Sequence, residues 1–132
     1  MPLLKRYQLF QIFDKVTSMD TLPIINRVYD LYKHVVEINA HLEKQWRYSL
    51  GISLENTILD LLSSLIMAKN APKAFKPPYL IKASSAHEIA ILKLRLMLEL
   101  EVVNETKIFQ AQAKLEEIGR MLGGWLRSLN TQ

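Results

Sequence analysis

Cysteine is absent from this 132-residue chain. That excludes disulfides, thiolate metal sites and cysteine nucleophiles, and it agrees with a cytoplasmic home. Glycine is scarce, at four residues, and no Asn-Gly or Asp-Gly turn joins runs of alternating β-branched residues, so no hairpin is signalled. Long apolar runs are missing too. The longest, residues 58–68, contains Asp60, Ser63 and Ser64, short of the ~18 uncharged residues a membrane span needs. Lys5, Arg6, Asp14 and Lys15 interrupt the N-terminus, which does not read as a signal peptide. There is no internal repeat and no low-complexity tract. Nucleophile elbow, P-loop, GxGxxG and HExxH motifs are all lacking. The expectation is a soluble, non-catalytic protein without a cofactor.

What is present is helical patterning. With 49% hydrophobic and 23% charged residues, the chain can bury one domain-sized core. Residues 1–20 form an N-terminal extension, within which Leu3, Tyr7, Phe10 and Phe13 share a face of a short helix over residues 3–16. Residues 21–132 read as an all-α, antiparallel up-down four-helix bundle. Thr21 can cap its first helix, with Pro23 in the first turn. Ile24, Val28, Leu31, Val35, Ile38 and Leu42 carry that helix's stripe. Gly51 is a weak break before a second helix reaching about Lys69. Its main stripe is Leu54, Ile58, Leu61, Leu62 and Leu65, widened by Ile52, Leu59 and Ile66. A helix apolar on more than one side belongs at the bundle centre or at an oligomer interface. Three prolines and three lysines mark residues 70–83 as an irregular connection. Ser85-Ala86-His87-Glu88 has capping-box spacing for a third helix, with Ile89, Leu92, Leu96 and Leu100 as its stripe. Asn104 caps a fourth helix whose apolar positions are Ile108, Leu115, Ile118, Leu122, Trp125 and Leu129. Short connections favour sequential antiparallel packing.

Candidate chemistry is thin. His34, Glu37 and His41 share a helix face and could hold a metal if His87 or a carboxylate joined them. The Glu-x-x-His motif of helical di-iron sites is missing, so the expectation is no metal and a solvated face with Glu37–His41 pairing. Ser63 and Ser64 have no base beside them. In the last helix Gly119 and Gly123 form a G-x-x-x-G step, followed by Gly124 and Trp125. Each mid-helix glycine costs about 0.5–1 kcal/mol relative to alanine, so the cluster implies a tight helix crossing, within the bundle or between subunits. Arg120 and Arg127 argue against a membrane dimerisation helix.

Charge is the second clue. The chain has 17 basic and 13 acidic residues, a net +4. Lys69, Lys73, Lys76, Lys82, Lys93 and Arg95 face only Glu88 over residues 69–95, a net +5, which leaves −1 elsewhere. Such a patch can bind phosphates by releasing counterions, with Phe75 and Tyr79 available to stack on bases. The plainer alternative is a solvated lysine-rich loop.

Two segments go beyond generic helix patterning: Arg47-Tyr48-Ser49-Leu50-Gly51 and Glu117-Ile118-Gly119-Arg120-Met121-Leu122-Gly123-Gly124-Trp125. Over residues 22–129 the chain resembles the four-helix-bundle family of the accessory variability determinant (Avd) of diversity-generating retroelements. Its relatives include proteins encoded by intervening sequences of bacterial large-subunit ribosomal RNA genes. The resemblance implies a homopentamer with a positive surface that binds a reverse transcriptase and RNA or DNA, without catalysing a reaction itself. Basic positions vary within that family, and among the basic residues here Lys93 and Arg95 on the third helix stand first as candidates for the positive surface, with the loop lysines second. The rival expectation is a structural or protein-interaction bundle of the intervening-sequence type that binds no nucleic acid.

Overall fold

The computed structural model describes Gln8 and residues 22–130. The expected helix over residues 3–16 and the Thr21 cap lie outside the described residues. Four helices run antiparallel in sequence order. Helix α1 is Pro23–Ala40. Helix α2 is continuous over Lys44–Asn70. Helix α3 is Lys76–Glu99 and α4 is Glu105–Asn130. No strand occurs among the described residues, so the all-α bundle expected from the sequence is what forms.

Helix α1 starts at Pro23, where the missing N–H has no intrahelical partner to lose. Ile24, Val28, Leu31, Val35 and Ile38 are buried as their spacing requires. Leu42 is buried too, but from the turn after the helix.

The Arg47-Tyr48-Ser49-Leu50-Gly51 segment is a π-helical turn inside α2. The wider turn displaces the usual backbone pairing, and the Gly51 carbonyl accepts from Asn39 Nδ2 at 2.8 Å. Asn39 is buried on α1 and also donates to Glu55 Oε2 at 2.8 Å. A Cβ at position 51 would lie 3.1 Å from the Asn39 side chain, so the glycine admits that amide. Arg47 Nη2 donates back to the carbonyls of Ala40 and Leu42, closing the end of α1. The motif is thus a corner that joins two helices.

Beyond it, Leu54, Ile58, Leu61 and Leu65 are fully buried, while Leu62 is only partly covered. Ile52, Leu59 and Ile66 remain exposed. By length and composition alone α2 could cross a membrane. Its apolar character is accounted for by one side buried in the bundle and a second apolar side left open.

Helix α3 departs from expectation. The irregular connection is only residues 71–75, including a 3-10 turn at Lys73–Phe75, and the helix begins nine residues before Ser85. Pro77 and Pro78 fall in its first turn, where they break no intrahelical bond. Ser85 therefore starts nothing. The apolar face shifts as a result. Ile89, Leu92, Leu96 and Leu100 are exposed, and the buried side is Leu80, Ala83, Ala86, Ala90, Leu94 and Met97. Three alanines bring α3 close to its neighbours.

Helix α4 behaves as read. Asn104 Oδ1 accepts from the Thr106 amide at 2.7 Å, an N-cap. Ile108, Leu115, Ile118 and Leu122 are buried, with Trp125 and Leu129 packed partly against the core. The connection into α4 leaves α3 through a Schellman closure. Val102 N donates to the Met97 carbonyl, Glu101 N donates to that of Leu98, and Glu101 is left-handed at φ 54°.

Candidate nucleic-acid interface

Antiparallel order sorts the charges along the bundle axis. The start of α1, the α2–α3 connection and the end of α4 lie at one pole. The Arg27 Nε–Glu117 Oε1 contact at 3.4 Å and the bond from Lys76 Nζ to the Ala68 carbonyl at 2.7 Å bind these segments together. Residues 22–29, 61–87 and 118–130 contain no acidic residue. They supply Arg27, Lys69, Lys73, Lys76, Lys82, Arg120 and Arg127. At the opposite pole, residues 37–47 and 98–107 hold Glu37, Glu43, Glu99, Glu101 and Glu105 against Lys44, Arg47 and Lys107. The modest net charge of the chain is therefore a strongly polarised one, and such a field concentrates phosphate at one end.

The six basic positions singled out by sequence divide between three roles. Lys69, Lys73 and Lys82 stay at the basic pole, with Lys73 and Lys82 exposed. Lys82 lines a groove between α2 and α3 together with Asp60, Ser63 and Met67. Lys76 is at the pole too, but its ammonium donates to the carbonyls of Ala68 and Lys69. There it neutralises the negative end of α2. Lys93 and Arg95, the first choices, do not join them. Lys93 is seventeen residues beyond Lys76 on the same helix, about 25 Å along the axis. It donates to the Ser53 carbonyl at 3.1 Å and Thr57 Oγ1 at 2.7 Å, tying α3 to α2. Arg95 Nε pairs with Glu99 Oε1 at 2.8 Å on the exposed surface. Arg27, Arg120 and Arg127 take their place. Sequence proximity could not reveal them, since the pole is assembled from three distant segments. Phe75 is 64% exposed at this pole, while Tyr79 is partly packed on the core.

The glycine cluster also resolves into separate roles. A Cβ on Gly119 would sit 2.9 Å from the His87 ring, whose Nε2 is 2.6 Å from the Leu115 carbonyl. With Nε2 protonated, His87 donates this bond and fastens α3 to α4. What approaches Gly119 closely is an imidazole, and no helix backbone. Among the described residues Gly123 and Gly124 face only the guanidinium of Arg127, at 3.3 and 3.9 Å, and no tight crossing between the four helices engages them. Trp125 is partly covered by the core.

His34, Glu37 and His41 line a cleft of about 520 Å³ with Asn104 and Lys107. His34 Nε2 is buried without a hydrogen-bond partner among the described residues. Among the described residues no group of three His, Cys, Asp or Glu side chains could hold a metal.

A second surface has a different character. Ile52, Leu59, Ile66 and Met67 on α2, with Ile89, Leu92 and Leu96 on α3 and Leu100 just past its end, are all exposed. Met67 and Ile89 both line the groove between the two helices, so the two stripes adjoin there. Single exposed hydrophobics are ordinary, but two exposed stripes on neighbouring helices, meeting at Met67 and Ile89 in a groove that Asp60, Ser63 and Lys82 also line, suggest a contact in an assembly.

A family model described as bAvd-like matches residues 22–129, the whole bundle. No curated protein matches the chain.

Proposed function

The chain belongs to the bAvd-like family, and from that premise we propose that it is a non-catalytic accessory protein of a diversity-generating retroelement. In this reading it works in the cytoplasm as a symmetric homo-oligomer, a pentamer, that binds the element's reverse transcriptase and nucleic acid and supports mutagenic cDNA synthesis. The observation that carries the nucleic-acid part is the basic pole, where Lys69, Lys73, Lys82, Arg120 and Arg127 gather from distant segments beside Arg27, which pairs with Glu117, and Lys76, which caps α2. Copies arranged side by side around a rotation axis would bring these poles together and multiply the field. The exposed α2–α3 face supplies the apolar area that such packing needs.

The test is RNA binding across a salt series, combined with native mass. Wild-type protein should assemble and bind, with affinity falling steeply as salt rises. Reversing Lys73, Lys82 and Arg127 to glutamate together should abolish binding while leaving helical content and native mass unchanged. Equal affinity in that variant would remove the pole from the function. A wild-type protein indifferent to RNA at low salt would leave the structural bundle of the intervening-sequence type as the better description.

A further inference from the structure

We propose that the basic pole takes single-stranded rather than duplex nucleic acid, with Phe75 as the side chain on which an unpaired base stacks; this rests on the nucleic-acid reading above. Phe75 is 64% exposed, the most exposed of the large hydrophobic residues described. Its position is set by the backbone. It ends the 3-10 turn Lys73–Phe75, its amide donates to the Pro72 carbonyl at 2.8 Å, and Pro77 and Pro78 follow at once in α3. A proline-braced turn holds the ring out to solvent with little freedom left to lose on binding.

The surroundings choose the ligand. Lys73 precedes the ring by two residues, and Lys69 and Lys82 belong to the flanking helices; the nearest acidic residue in sequence on α2 is Asp60, which shares the groove with Lys82. An apolar partner would cover the ring but would strand these cations in a drier environment. A duplex would satisfy the cations through its phosphates, yet its base faces are already stacked on one another and cannot reach the ring. An unpaired nucleotide satisfies both at once, offering phosphate to lysine and a base face to Phe75.

The experiment is fluorescence anisotropy with two labelled probes, an unstructured oligouridine strand and a blunt RNA duplex of equal length. Wild type, Phe75→Ala, Phe75→Leu and Phe75→Trp are compared over a salt series, with circular dichroism confirming the fold. Phe75→Ala should weaken strand binding about tenfold and leave both the duplex affinity and the salt slope unchanged. Phe75→Trp should retain strand binding, and Phe75→Leu, apolar but without a π-face, should behave like alanine. Strand affinity unaltered in Phe75→Ala, or an equal loss on strand and duplex, would overturn the stacking role while the basic pole stood. Wild-type protein that binds neither probe would overturn the nucleic-acid reading itself, and this inference with it.

Discussion

Replacing each of the three α4 glycines by alanine should produce opposite signs of stability change within about a turn and a half of helix. Any mid-helix Gly→Ala change gains about 0.5–1 kcal/mol from reduced backbone freedom in the unfolded chain. At Gly123 and Gly124 nothing offsets that gain. The nearest atoms belong to the flexible end of exposed Arg127, so Gly123→Ala and Gly124→Ala should each stabilise by about 0.5–1 kcal/mol. At Gly119 the new methyl lands 2.9 Å from the His87 ring. The ring must move, which costs about 1–3 kcal/mol as overpacking. Moving it also strains or breaks the bond to the Leu115 carbonyl, about 1 kcal/mol more. Gly119→Ala should therefore be net destabilising by about 1–3 kcal/mol, lowering the urea midpoint by about 1 M. Equilibrium urea unfolding followed by circular dichroism at one fixed protein concentration reads all three, the fixed concentration guarding against changes in assembly. The decisive control is the His87→Ala background, where the clash is gone and Gly119→Ala should turn stabilising. If Gly119→Ala stabilises the wild-type protein, or if the sign does not reverse with His87→Ala, the account of Gly119 as the seat of the imidazole is wrong.

For the proposed oligomer, charging the exposed apolar stripes through Leu59→Glu and Leu92→Glu together should yield a monomer of unchanged helicity by native mass; an assembly unaltered by the pair would put its contact on another face. Glu101 holds a left-handed conformation that glycine adopts without penalty. Glu101→Gly should raise stability by about 0.5–1 kcal/mol in thermal unfolding, and Glu101→Val should lower it. Lys93→Met removes two hydrogen bonds made by a charged group to α2. It should cost about 1–2 kcal/mol in urea unfolding while changing RNA affinity far less than Lys73→Glu.

Helix number, order and direction were legible in the sequence because α1, α2 and α4 bury leucine and isoleucine at helical spacing. Helix α3 was not, for two physical reasons. Proline is a breaker inside a helix but acceptable in its first turn, so Pro77 and Pro78 announced the helix they seemed to forbid. Its core side is also built largely of alanine, which carries little hydrophobic signal, while the visible leucines point outward. The basic surface was half legible. Lys69, Lys73 and Lys82 stand out as a run, but Arg27, Arg120 and Arg127 join them only through the antiparallel return of the chain. A charge count also could not show that the long Lys93 side chain bridges to a carbonyl and a hydroxyl of the neighbouring helix. The glycine run reads as a helix crossing, whereas the close neighbour at Gly119 is the His87 side chain from another helix, which had no sequence signature.

The π-helical turn at Arg47–Gly51 stores one surplus residue without disturbing the helix on either side of it. Such a turn holds one more residue than an α-helix would use over the same rise. Deleting Ser49 would therefore let the segment relax into uninterrupted α-helix while both flanks nearly keep their phase. The loss would be local, because Asn39 would no longer meet the displaced Gly51 carbonyl. Inserting a further residue has no such outlet and would turn everything before it by about 100° relative to the rest of α2, carrying the Arg47 guanidinium away from the Ala40 and Leu42 carbonyls. The segment should accordingly accept a one-residue deletion more readily than an insertion.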